Sequence, residues 1–194
     1  MRIGVLGLQG AVREHLRSLS RLGVDGVVVK RAGALARLSA LIFPGGESTA
    51  ISLLAAGPFL EELKRHAREG FPLFGTCAGM ILLAKEIEGQ KEAYVPAIDI
   101  TVARNATGRQ VESFETSLLV EGVGRDVPAV FIRAPYITRV GDGVCVLARH
   151  EGIPVMARQG NVLVASFHPE LTDDLRVHAY FASMVAEHDK EVRA

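Results

Sequence analysis

Four short apolar runs, IGVLGL at 3–8, GVVVK at 26–30, ALIF at 40–43 and FPLFG at 71–75, divide the first 80 residues. Runs of this length without polar alternation suit strands covered on both faces, as in a parallel sheet. Between them the spacing becomes helical. AVREHLRSLSRLG sets Val12, Leu16, Leu19 and Leu22 on one face, and LLAAGPFLEELKRHAREG continues a second helical region that Ser48 is expected to cap and Pro58 to break in two. A third helix is expected over 78–88. Repeated βα units of this kind predict an α/β fold.

From about Gly89 the chain turns β-rich: AIDITVA, ETSLLVEG, AVFI, VCVLAR, IPVMAR and NVLVASF are short strands separated by Gly, Pro and polar turns. A last helix is predicted in TDDLRVHAYFASMVAEH, with Thr172 as N-cap and Asp173 and Asp174 in the first turn, where negative charge suits the helix dipole. No internal repeat, low-complexity stretch or linker divides the chain, so residues 1–194 are expected to form a single domain, an α/β three-layer sandwich with a mostly parallel central sheet. With 48% hydrophobic residues the chain can bury a substantial core. Its 22 basic and 22 acidic residues cancel without forming a basic block, which argues against a nucleic-acid partner. No apolar stretch is long enough for a membrane span, so a cytoplasmic protein is expected. Both cysteines, Cys77 and Cys145, are expected as free thiols, Cys145 in the core.

Three predicted strand ends carry reactive groups. Cys77 follows the fourth apolar run in Gly75-Thr76-Cys77-Ala78-Gly79, the layout of a nucleophile elbow, where a helix N-terminus favours the thiolate; a buried structural cysteine is the alternative. NVLVASF runs into His168-Pro169-Glu170. In an extended segment, which Pro169 favours, the imidazole and carboxylate face one side, so His168 can take the thiol proton and Glu170 can orient the ring; a strand-end turn is the alternative. PGGES at 44–48 can present backbone N–H groups to a developing oxyanion, or it can be an ordinary βα turn. Joint occurrence favours the chemical reading.

With these residues assembled, the chain resembles the class I glutamine amidotransferases, and more closely the glutaminase subunits of pyridoxal 5′-phosphate synthases. IGVLGLQGAVREH, IFPGGEST, FGTCAGMILLAKEIEG, RNATGRQVESFE, VFIRAP and SFHPELTDD carry the likeness. EGQKEAYVP at 88–96 is not diagnostic. The resemblance implies a flavodoxin-like fold, a triad of Cys77, His168 and Glu170, and L-glutamine held by Gly45, Gly46, Glu47, Arg104, Ile132 and Arg133. It implies an oxyanion hole formed from Gln9, Gly46 and Ala78, and no cofactor. It further implies thiolate attack on the glutamine carboxamide, a glutamyl thioester, and ammonia passed to a synthase subunit, whose docking reorients the backbone at Gln9. His15 and nearby polar residues of the first helix would then lie close to the docking surface.

Other classes fit less well. Cysteine hydrolases and chaperones of related fold commonly carry a histidine directly after the nucleophile, where this chain has Ala78. Gly4, Gly7 and Gly10 are spaced GxxGxxG rather than GxGxxG, and Lys30 stands where a dinucleotide fold needs an acid. A non-catalytic module of the same fold would have no need of an intact thiol, base and orienter. His15, His66, His150, His178 and His188 show no metal-ligand spacing, so no metal is expected.

Overall fold

The structure is a computed structural model that describes residues 1–104 and 113–193. Most of the GRQVESFE stretch therefore lies outside the described residues. The chain begins with β1 (Arg2–Leu6), α1 (Val12–Arg21), β2 (Asp25–Val29), β3 (Ala40–Phe43), α2 (Ser48–Ala55), α3 (Pro58–Arg68), β4 (Leu73–Thr76) and α4 (Ala78–Leu83). It continues with β5 (Ala84–Ile87), β6 (Ile98–Ala103), β7 (Phe114–Val120), β8 (Gly124–Phe131), β9 (Tyr136–Val140), β10 (Cys145–His150), β11 (Ile153–Gln159), β12 (Val162–Ala165) and α5 (Arg176–Arg193).

Seven strands form the main sheet in the order β10-β11-β12-β4-β3-β1-β2, parallel from β12 to β2 and antiparallel at β10 and β11. The apolar runs resolve into two cores, one on each face. Leu41, Phe43, Leu73, Val162 and Val164 join α2, α3 and α4 on one side; Ala40, Ile42, Phe74, Leu163 and Ala165 join α1 and α5 on the other. This is the expected three-layer α/β sandwich. A smaller sheet, β5-β6-β9, the β7-β8 hairpin and strands β10 to β12 of the main sheet together make the second half β-rich.

Four local expectations are corrected. The helix predicted over 78–88 ends at Leu83, and Ala84–Ile87 leaves as a strand that pairs with β6; apolarity on all sides through Ala84 hid the change of period. Glu47, rather than Ser48, caps α2, its carboxylate accepting from the Thr49 and Ala50 N–H groups. The last helix starts at Arg176: Thr172 Oγ1 accepts from Asp174 N–H in the preceding turn, and Asp174 Oδ1 accepts from Arg176 N–H. Cys145 is exposed on the edge strand β10 and is not part of the core.

Phe74 is fully buried and packs against Phe181 of α5, with ring centroids 5.3 Å apart. Phe74→Ala should cost about 3–5 kcal/mol of folding stability in urea titrations. A loss below about 1 kcal/mol would mean that this face of the sheet is not the tightly packed core described.

Candidate active site

Cys77 sits between β4 and α4 with φ 49° and ψ −105°, a conformation that costs a non-glycine residue roughly 1–3 kcal/mol. Its surroundings fix the turn. Cys77 N–H donates to the Ala165 carbonyl at 2.8 Å, while its own carbonyl accepts from Met80 and Ile81 N–H. A Cβ at Gly79 would overlap the Phe43 carbonyl oxygen, and one at Gly75 would meet the backbone of Gly79. Only glycine lets α4 start this close to β3 and β4. The resulting elbow places the Cys77 thiol, 7% exposed, in a cleft of about 600 Å³, with Sγ 3.9 Å from the Ile132 carbonyl.

His168 enters the same cleft from the end of β12, tied by its N–H to the Val130 carbonyl at 2.8 Å. Its Nδ1 is 2.7 Å from Glu170 Oε1, which leaves Nε2 for the cleft. The two do not meet by extended alternation as expected: Glu170 lies in a 3-10 turn, Pro169–Leu171, which folds the carboxylate back beneath the ring. Burial opposes charge on His168, but Cys77 and Glu170 outweigh it and push its pKa up to about 10. Burial would also raise the Glu170 carboxyl, yet the hydrogen bond to His168 and the charge of that ring hold it below its ordinary value. A buried carboxylate kept ionised beside a histidine is a signature of functional sites.

The PGGES loop after β3 closes another wall. A Cβ at Gly45 would overlap the His168 ring, and one at Gly46 would overlap Gln9 Oε1. Gly10, at φ 103°, packs on the Gly45 carbonyl, so the first βα turn is filled by this loop and offers no phosphate cradle. Gln9 contributes through its side chain, Oε1 accepting Glu47 N–H at 2.7 Å. Among the described residues, Gly46 N–H and Ala78 N–H have no acceptor.

Gln9, Gly45, Gly46, Glu47, Cys77, Ala78, Arg104, Ile132, Arg133 and His168 all line the cleft; Glu170 lies behind His168. Arg104 is held by Tyr94 Oη at 2.6 Å, Gln90 Oε1 at 2.7 Å and Thr49 Oγ1 at 3.1 Å. Gln90 and Tyr94 come from the polar stretch 88–96, where nothing in the sequence pattern marked them. Arg133 has φ 44°, a second left-handed residue at the rim. His15, expected close to the docking surface, is fully buried behind Glu170 and offers no exposed atom of its own.

Burial lowers the pKa of His15 and brings that of His178 to about 3, so both rings are neutral in the folded chain. Below pH 6.5 the unfolded chain binds protons that these rings refuse, and stability falls with acidification by up to about 1.4 kcal/mol per pH unit for each proton. His168 acts oppositely: its contribution is complete below pH 6.5 and is lost as the pH rises toward 10. Urea titrations between pH 5 and 9 should show losses on both sides, with a shallower acid side in His178→Phe. An unchanged acid slope in that variant would contradict the assignment.

The profile of the SNO glutamine amidotransferase family matches residues 5–187. The chain is 56% identical over 188 residues to the pyridoxal 5′-phosphate synthase subunit PdxT of Niallia circulans, covering 96% of this chain and 99% of that protein. It is equally similar to the PdxT subunit of Bacillus cereus strain B4264, covering 96% of each. A crystal structure of a glutamine amidotransferase superposes with a TM-score of 0.90 at 51% identity, covering 95% of this chain and 98% of the other. The structure of PurLQS from Thermotoga maritima shares the fold, with a TM-score of 0.73 at 16% identity, covering 94% of this chain and 97% of the matched one.

Proposed function

The chain belongs to the SNO glutamine amidotransferase family, and from that membership we propose that it hydrolyses L-glutamine to L-glutamate and ammonia and supplies the ammonia to a pyridoxal 5′-phosphate synthase subunit. The observation that carries the reading is Cys77 in its strained elbow, sharing a cleft with a His168 whose far nitrogen is held by buried Glu170. Residues 1–194 act as one amidotransferase domain. Two free cysteines, one of them exposed, suit a reducing cytoplasm.

The Cys77 thiolate attacks the side-chain carboxamide carbon of glutamine, and the C=O electron pair moves onto oxygen. Gly46 and Ala78 N–H, joined by Gln9 N–H once the partner has docked, stabilise this oxyanion. His168, protonated beside the thiolate, gives its proton to the departing nitrogen; ammonia leaves, and a glutamyl thioester remains. Water then attacks the thioester as His168 removes its proton, and collapse of the second tetrahedral intermediate releases glutamate and the thiolate. Glu170 fixes the imidazole tautomer and stabilises its charged form. Gly45, Gly46, Glu47, Arg104, Ile132 and Arg133 bind the glutamine. Because both Glu47 oxygens cap α2, this residue contributes its backbone, while Arg104, braced by Tyr94 and Gln90, offers a preset guanidinium to the α-carboxylate.

Ammonia is mostly protonated in neutral water and lost as a nucleophile, so release without an acceptor is wasteful. The need for the Gln9 N–H ties turnover to docking. With the synthase partner present, glutamate release should vanish in Cys77→Ala and fall by several orders of magnitude in His168→Ala, with Glu170→Gln about two orders less damaging. Gln9→Pro, which lacks the N–H, should lose roughly 100- to 1000-fold of the partner-stimulated rate. Substantial activity in Cys77→Ala would overturn the nucleophile assignment, and full stimulation of Gln9→Pro would overturn the gating.

A further inference from the structure

Behind Glu170 lies a second line of buried polar side chains that the proposed reaction does not use. Thr76, His15 and His178 come from β4, α1 and α5 and are at most 1% exposed. Thr76 Oγ1 is 3.4 Å from Glu170 Oε1, 3.1 Å from Gly45 N and 3.1 Å from His15 Nε2. His15 Nε2 is also 3.6 Å from Glu170 Oε1, and His15 Nδ1 is 2.9 Å from His178 Nε2.

Hydrogen-bond capacity gives this chain one direction. A threonine hydroxyl has one proton and two lone pairs. Gly45 N–H takes one lone pair. If His15 carries its proton on Nε2, that N–H takes the other, and among the described residues the hydroxyl proton has only Glu170 Oε1 to go to. With Nε2 bare, the single hydroxyl proton would be contested and an imidazole lone pair would face a carboxylate oxygen. The Nε2–H tautomer leaves His15 Nδ1 as an acceptor, so His178 donates through Nε2–H. His178 Nδ1, buried and without a partner among the described residues, is then a bare lone pair. In the reverse direction it would be an orphaned N–H, the rarer and costlier defect. Every N–H and O–H of the line is satisfied only when the line points at Glu170.

We propose that His15, held by His178, is a positioning residue for the triad: by filling the second lone pair of the Thr76 hydroxyl it commits the hydroxyl proton to Glu170 Oε1 and so orients Glu170 on His168. The same hydroxyl accepts Gly45 N–H, so one hydrogen-bonded unit sets both the base's orienter and the loop against which the His168 ring packs. This inference rests on the glutaminase reading above. The charged or titratable groups that face His15 are Glu170, His168, Glu14 and His178, and Phe74 covers a ring edge.

The test is steady-state glutamine hydrolysis with the synthase partner across pH for wild type, His15→Leu, His15→Gln and Thr76→Val. His15→Leu frees the hydroxyl rotor and should lower kcat about 10- to 100-fold with KM for glutamine unchanged. Losing donors to its carboxylate raises the pKa of Glu170, so the acid limb of kcat should move to higher pH. Thr76→Val should reproduce that shift. His15→Gln, whose amide N–H can replace imidazole Nε2–H, should restore both kcat and the acid limb. Imidazole 15N spectra of the wild-type chain should show His15 as the Nε2–H tautomer, a readout that does not depend on how well variants fold. A bare Nε2 on His15, an unshifted acid limb in folded His15→Leu and Thr76→Val, or no rescue by glutamine would overturn the proposal. Wild type inactive on glutamine in the complex would instead overturn the glutaminase reading.

Discussion

The site depends on one backbone turn. Cys77 can hold φ 49° and ψ −105° only because β3, β4 and the start of α4 approach too closely for side chains at Gly75 and Gly79, and because Ala165 at the end of β12 accepts its N–H. The strain of that residue is offset by the packing of the parallel sheet around it, a cost that a surface loop could not sustain. The elbow also fixes what its neighbours can be. Thr76 must face inward toward Gly45 and Glu170, and α4 must leave at once, which aims its first free N–H, that of Ala78, into the cleft.

A second constraint is electrostatic. Glu170 is buried with Oε2 unpartnered among the described residues, a position that an isolated carboxylate would escape by protonation. The charged His168 ring hydrogen-bonded to it keeps it ionised, and it in turn helps keep His168 charged beside the thiol. Neutral His15 and His178 supply donors without adding net charge, so among the described residues the charged partner of the carboxylate is His168, the proposed proton carrier. Gly45 links this buried line to the wall of the cleft, where a side chain of any size would displace His168.

Much of this could be read from the residues. The uninterrupted apolar runs announced a doubly covered parallel sheet, and the glycine-flanked cysteine and the HPE tripeptide stood at strand ends, where such sheets collect reactive groups. What escaped was set by tertiary contact. Residues 78–88 are apolar on every side through Ala84, so periodicity could not show where helix gives way to strand. Glu47 competes with Ser48 for the α2 cap, and the loop geometry decides it. Cys145 has the neighbours of a core strand but lies on the sheet edge, and strand order is invisible in a local pattern. His15 has the polar character of an exposed helical position, yet its face of α1 meets β4 and α5.

The most direct test of the account is chemical. The complex with its synthase partner is mixed with glutamine, quenched in acid within a turnover, and digested for mass spectrometry. A glutamyl thioester on the peptide containing Cys77, and none on Cys145 although that thiol is the more exposed, is the predicted result. Turnover with no adduct on Cys77, or an adduct carried by Cys145, would contradict it.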